Sequence, residues 1–150
     1  MFKFSKKIIY AIEAVIDIAY HTGKDPIQNI DVARRQGIPK RYLEQTLQSL
    51  VRSNILVGSR GPKGGYRLAK EKRKIKISDI ILSVQNSTVS DQKNKSPKSE
   101  ISEKIIYPML SEITNNSLKK LESISIEDIC MKARKLNIPS NIKNKIDFVI

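Results

Sequence analysis

The residues best equipped for chemistry lie between Lys40 and Arg52. Lys40, Arg41, Glu44, Gln45, Gln48 and Arg52 recur at close helical spacing, and steps of three and four gather Arg41, Glu44, Gln45 and Gln48 on one side of a helix. Leu43, Leu47, Leu50 and Val51 fall on the other side. A helix fits the major groove of duplex DNA, where glutamine pairs bidentately with adenine and glutamate accepts from cytosine N4. Glu44 is informative, because a carboxylate beside phosphates is unfavourable unless it reads a base. Every amphipathic helix has a solvated polar face, so the pattern takes its meaning from its surroundings.

Those surroundings follow at once. Arg60-Gly61-Pro62-Lys63-Gly64-Gly65 separates a short β-branched run, Ile55 to Ser59, from Tyr66-Arg67-Leu68-Ala69. Three glycines and a proline in six residues make a flexible hairpin tip, too long for a two-residue turn. Arg60, Lys63 and Arg67 are candidates for phosphate or minor-groove contact, where arginine is held by negative potential. Pro62 stiffens the tip, and the glycines let backbone amides approach phosphates. Nucleotide-binding loops are also glycine-rich, but no Gly-Lys-Ser/Thr follows here and the loop joins two strands.

The formal charge of +13 is placed unevenly: residues 1–80 hold 17 Lys/Arg against 7 Asp/Glu, residues 81–150 hold 11 against 8. Between Arg60 and Lys76 eight basic residues face only Glu71. That clustering is the footprint of a polyanion binder. A membrane partner is not expected, since no apolar run nears the ~18–20 residues of a spanning helix. A basic interfacial helix with tryptophan is missing as well. Met1 to Lys7 opens no apolar signal core, and the single Cys130 rules out a disulfide framework; a cytoplasmic protein is expected. Catalysis is not expected either, because the acids are scattered over polar faces and no Ser/His/Asp or Cys/His set is on offer. The alternative is a non-regulatory basic protein, architectural or RNA-binding. Against it stand 5% aromatic residues and no tryptophan, too few for stacking on unpaired bases.

The elements that must position these residues can be read from periodicity. Ile8, Ile12, Val15, Ile16 and Ala19 predict a helix over 5–21, stopped by Thr22-Gly23 and Pro26. A short helix fits Ile30 to Gln36, burying Val32 and Ala33, with Gly37 turning left-handed. Pro39 suits the first position of a third helix that ends near Ser53. Short helix, glycine turn and longer helix form a helix-turn-helix, and the basic hairpin makes it winged. Ser78 is expected to cap a fourth helix through Ile80, Ile81 and Val84. Asn86 to Glu100 carries one apolar residue in fifteen, so a flexible loop is expected there. Beyond it Ile101, Ile105, Met109 or Leu110, Ile113, Leu118 and Leu121 suggest a long helix that Pro108 either kinks or starts. Ser125 to Asp128 has capping-box spacing, opening a last helix that buries Ile126, Ile129, Cys130 and Ala133.

The fold class expected is mainly α with a small β-hairpin. The chain divides into a winged helix-turn-helix DNA-binding domain over 1–85, the loop over 86–100, and a dimerisation helix with a C-terminal helical segment over 101–150. Ile105, Leu110 and Ile113 are expected to bury against a partner chain, since an isolated amphipathic helix has no other place for that face.

Tyr42-Leu43-Glu44-Gln45, Leu50, Ser59 through Ala69, and Ile77-Ser78-Asp79-Ile80-Ile81 resemble the IscR/NsrR/CymR family of bacterial winged-helix transcriptional regulators. Gln36-Gly37-Ile38 and Tyr10-Ala11 match as well. The resemblance is specific over 8–85 and looser over 101–130, where the family has its dimerisation helix. It implies a homodimer on an imperfectly palindromic double-stranded DNA operator, one recognition helix per half-site; a repressor is expected, regulated by a small-molecule or protein effector or by simple abundance. It also puts Glu44, Gln45, Arg60, Gly61 and Pro62 on DNA-contacting positions, to which the residues themselves add Lys40, Arg41, Gln48 and Lys63. Pro39 and Arg41 stand where cluster-binding members often carry serines. Iron–sulfur members place three cysteines in the 86–100 connection, where this chain has neither Cys nor His. The resemblance is therefore to cluster-free members, such as the cysteine-metabolism repressor, and no cofactor or metal is expected. Cys130 reads as core, and His21 as a favourable charge at a helix C-terminus.

Overall fold

The computed structural model describes residues 4–86 and 99–141. The first helix, α1 (Lys6–His21), starts where Ser5 Oγ accepts the Ile8 N–H at 3.4 Å. Its Ala11, Ala14, Val15, Ile18 and Ala19 are fully enclosed; the small residues let neighbouring helices approach, and α1 becomes the axis around which the others pack.

The second helix, α2 (Asn29–Gln36), ends on Gly37 at φ +65°, and the Ile38 N–H reaches back to the Ala33 carbonyl at 3.2 Å. That left-handed cap reverses the chain into α3 (Lys40–Arg52). Pro39 is the N-cap rather than the first helical residue: at ψ 129° it is extended, and its carbonyl accepts the Leu43 N–H at 3.1 Å. Leu43, Leu47 and Leu50 are completely buried, each contributing about 1.5–3 kcal/mol by leaving water. Val51 departs from expectation and is 38% exposed. One residue past Leu50 is 100° further round the helix, which turns Val51 toward the hairpin instead of the core.

Asn54, at φ 59°, caps α3 with the Ile55 N–H bonded to the Leu50 carbonyl at 3.0 Å. The strands β1 (Leu56–Ser59) and β2 (Gly65–Leu68) then pair antiparallel, Leu56 opposite Leu68 and Ser59 opposite Gly65. Ile27 adds a bridge to the other edge of β2, exchanging two backbone bonds with Tyr66 at 2.8 and 3.0 Å. This close approach demands glycine at 65, since a Cβ there would sit 2.5 Å from the Ile27 carbonyl oxygen at φ +156°.

A 3₁₀ turn, Lys72–Lys74, leads to α4 (Ile77–Asn86). Ser78 does not cap α4; it is buried in the first turn, and the Asp79 carboxylate accepts the Lys76 N–H at 2.9 Å instead. Ser78 lies one residue inside the helix, where its side chain faces the core. The strand-like entry to α4 pairs with the entry to the last helix: Ile77 donates to the Ile124 carbonyl and Ile126 to the Ile75 carbonyl, both at 3.0 Å.

Residues 87–98, most of the expected loop, lie outside the described residues, as do 142–150. Ser99 opens the next helical stretch, its Oγ accepting the Ser102 N–H at 3.2 Å. A π segment, Ser102–Ile106, precedes α5 (Tyr107–Glu122). Pro108 both starts α5 and follows this wider turn. A proline cannot donate and its ring crowds the carbonyl four residues back; the Tyr107 N–H bonds to the Ser102 carbonyl, five residues back. Leu118 and Leu121 are half-buried, and α5 packs beside α4. The capping box forms as the spacing predicts: Ser125 Oγ accepts the Asp128 N–H at 3.1 Å, and Asp128 accepts the Ser125 N–H at 2.9 Å. The last helix, α6 (Ile126–Lys135), buries Ile126 and Cys130 in the core that includes α1, with Ile129 and Ala133 half-buried beside them. Among the described residues no helix is long and apolar enough to cross a membrane.

Candidate nucleic-acid interface

The α1 axis and the leucine face of α3 fix which way α3 turns outward. Lys40, Arg41, Glu44, Gln45, Gln48 and Arg52 are all exposed on it. Arg60, Gly61, Pro62 and Lys63 are exposed at the hairpin tip. A cleft of about 670 Å³ separates the two, lined by Gln48 and Arg52 of α3, Ser59 and Arg60 of the hairpin, and Gln28. The structure thus faces Gln48 across from Arg60 and Gly61, while Arg41, Glu44 and Gln45 extend the same helix surface. Pro62 and Lys63 stand beyond the cleft at the tip.

Two groups of residues here escaped the sequence reading. Gln28, just before α2, donates through Nε2 to the Pro62 carbonyl at 3.4 Å and so touches the hairpin tip. On the other flank of α3 a second cleft, about 410 Å³, is lined by Lys6, Lys7, Tyr10, Tyr42, Gln45 and Pro39 among others. The Tyr10 and Tyr42 rings meet at 6.5 Å between centroids. The available signal was the Lys6-Lys7 pair at the start of an amphipathic helix. α3 is therefore bracketed by cationic side chains on both flanks.

Arg67 needs correcting. Its guanidinium donates to the Gly23 carbonyl at 3.4 Å and to the Lys24 carbonyl, so it ties the hairpin to the α1–α2 connection. The Ile27–Tyr66 bridge brings that connection within reach.

His21 lies at the C-terminus of α1 as expected, but it does not serve there as a favourable charge. It is buried, and desolvation together with the Arg35 guanidinium pushes its pKa below the ordinary histidine value, against the pull of Asp17. Its Nδ1 accepts the Asn141 N–H at 3.0 Å. Cys130 is fully buried, and burial pushes its thiol pKa up. Among the described residues no three His, Cys, Asp or Glu side chains are grouped to hold a metal.

A helix-turn-helix with a basic antiparallel wing, presenting a polar helix face between two cationic flanks, has the form of a winged-helix DNA-binding protein. Residues 4–132 match the Rrf2 family, described as iron-dependent transcriptional regulators, and the chain belongs to that family. IscR of Vibrio atlanticus (strain LGP32) is 39% identical over 85 residues, 57% of this chain and 49% of the relative. IscR of Photorhabdus laumondii is 26% identical over 143 residues, 95% of this chain and 87% of the relative. The chain spans about half the length of the Vibrio relatives it matches. Among solved structures, T. potens IscR superposes with a TM-score of 0.72 at 29% identity, covering 92% of this chain and 93% of that one. CymR, the global cysteine regulator of B. subtilis, gives 0.66 at 25% identity, covering 88% and 98%. These likenesses agree with the family resemblance carried by the sequence motifs.

The family description implies iron, and the donors present do not fit an iron–sulfur cluster. Such a centre needs four ligands, usually thiolates, and the chain holds one Cys and one His. The thiol is buried and held protonated, while His21 Nδ1 already accepts a backbone bond.

Proposed function

We propose that this protein is a sequence-specific DNA-binding transcriptional regulator, a homodimeric repressor acting on a palindromic operator without an iron–sulfur cluster. The observation that carries the reading is the exposed α3 face of Arg41, Glu44, Gln45 and Gln48, whose Gln48 shares one open cleft with Arg60 and Gly61 of the basic wing. In this reading α3 lies in the major groove and reads base edges, Gln45 and Gln48 toward adenine and Glu44 toward cytosine N4. Arg60 and Lys63 hold phosphates or the minor groove, and Gly61 and Pro62 keep the tip narrow. Lys6 and Lys7 supply charge on the opposite flank, and Lys40 at the start of α3.

The homodimer is supported by the π segment and α5, whose Ile105, Leu110 and Ile113 are 58%, 41% and 50% exposed. A two-fold dimer places one α3 in each half-site. Gln45→Ala tests the reader: it is expected to cost about 1–3 kcal/mol and relax preference at one position per half-site. An unchanged preferred site would mean that α3 is not the reader. Anaerobically purified protein is expected to be colourless, free of iron and acid-labile sulfide, and competent for operator binding. Stoichiometric iron that disappears in Cys130→Ser would overturn the cluster-free reading.

A further inference from the structure

Asp17 of α1 is 1% exposed, and both its oxygens are engaged. Oδ1 accepts from Arg35 Nη2 at 2.7 Å; Oδ2 accepts from Arg35 Nε and from Gln36 Nε2, each at 2.9 Å. These bonds fasten α1 to the last turn of α2, immediately before Gly37 and α3. One turn further along α1, His21 Nε2 lies 3.8 Å from Asp17 Oδ2. The opposite ring nitrogen holds the segment that follows α6. Asn141 N–H donates to His21 Nδ1 at 3.0 Å, Ser140 Oγ donates to the Tyr20 carbonyl at 2.9 Å, and the Tyr20 hydroxyl donates to the Ile138 carbonyl. One imidazole therefore stands between the C-terminal segment and the salt bridge of the helix-turn-helix.

A ring nitrogen that accepts a bond carries no proton, so the single proton of neutral His21 sits on Nε2, toward Asp17. The charged groups facing the ring are Asp17 from α1 and Arg35 from α2. Among the described residues, the segment after α6 brings the neutral Asn141 amide and Ser140 hydroxyl to this site, and the Tyr20 ring meets His21 edge-on at 5.4 Å. A second proton would go on Nδ1, where it abolishes the acceptor for Asn141. The resulting cation would also compete with Arg35 and Gln36 for the Asp17 carboxylate.

We propose that His21 is a proton-sensitive latch: neutral, it straps the segment after α6 onto α1; protonated, it releases that segment and draws Asp17 away from Arg35 and Gln36. The latch sits at the hinge that aims α3, so its effect on operator binding rests on the DNA-binding reading above. The folded pKa is lowered from the ordinary value of 6.5. The strap is therefore whole above about pH 6.5 and is lost as pH falls through the folded value.

His21 is the single histidine of the chain, so nuclear magnetic resonance of the full protein isolates its ring. Titration from about pH 7.5 to about pH 5 is expected to give a midpoint below 6.5. The Asn141 and Gly37 amides and the Arg35 Nε–H should shift with that same midpoint. Asn141→Pro removes the donor that favours the neutral ring, and by linkage the His21 midpoint should rise toward 6.5. His21→Gln keeps a neutral acceptor and should flatten the Asn141, Gly37 and Arg35 titrations. Operator affinity should weaken on acidification in the native protein but not in His21→Gln, by up to about tenfold per unit by which operator binding lowers the His21 pKa. An Asn141 amide indifferent to the ring, or an Asn141→Pro midpoint that does not move, would overturn the latch. Should His21→Gln not fold, the Asn141→Pro midpoint decides. Coupled titration in a protein that binds no DNA at any pH would support the latch and overturn the operator reading.

Discussion

Two amphipathic helices of similar length, α3 and α5, are used in opposite ways. α3 spends its apolar face on its own core, with Leu43, Leu47 and Leu50 fully buried, and presents charge and amide to solvent. α5 packs its far end through half-buried Leu118 and Leu121, while its Tyr107, Met109, Leu110 and Ile113, with Ile105 and Ile106 of the π segment before it, remain exposed. The free face of a helix indicates what it is free for. A polar face flanked by cations suits a polyanion, whereas a row of large aliphatic side chains in water suits a second protein surface.

The largest effect should come from making the two free faces alike. Leu110→Glu with Ile113→Glu turns the α5 face polar without touching the core, since both side chains are exposed in the single chain. Helical content by circular dichroism should persist, sedimentation mass should halve, and operator affinity should drop about 10²–10⁴-fold, the scale lost with bivalence. A variant that stays dimeric would place the interface off this face.

Much of this contrast was legible in the sequence, and the reasons differ by element. Ser125 and Asp128 share one turn of chain, so their reciprocal cap follows from spacing alone, as does the left-handed turn at Gly37. The α3 face was legible because its leucines and its polar residues each repeat with helical period. The Asp17–Arg35 pair was not legible. Its members are eighteen residues apart, and Arg35 looks like any cation in the last turn of a short helix until α2 packs on α1. His21 was misread for the same reason: local sequence placed it at a helix end, but the segment near Asn141, 120 residues later, encloses it. Ser78 shows the opposite failure, a local rule applied one residue too far along. Asp79 was better placed, because its side chain reaches back to the Lys76 amide. Of the residues added to the candidate interface, Lys6 and Lys7 are brought beside Tyr42 and Gln45 of α3 by the packing of α1 on that helix, and Gln28 by its bond to the hairpin tip.

A smaller effect is expected where α5 is returned to the core. Ser125 reverses the chain between α5 and α6, and its hydroxyl satisfies the Asp128 amide. Ser125→Ala should cost about 1 kcal/mol of stability in urea titration. Because α6 packs on α1 while α5 packs on α4, and the substitution does not touch the exposed α5 face, dimer mass should be unchanged. Loss of dimer in Ser125→Ala would mean that α6 itself shapes the interface.

The smallest effect separates the two halves of the DNA-binding surface from each other. Lys63 is exposed at the wing tip, beyond the α3–wing cleft, where the proposed reading assigns it a phosphate or groove edge. An ammonium held to one phosphate contributes counterion release and carries no base preference. Lys63→Ala should therefore weaken operator and unrelated duplexes alike by a few-fold, and reduce the slope of log affinity against log salt by about 0.9 per removed contact. Gln45→Ala should do the reverse, lowering the operator-to-random ratio with the salt slope intact. A Lys63→Ala protein with an unaltered slope would remove the wing tip from the interface, and one with altered sequence preference would make the wing a second reader beside α3.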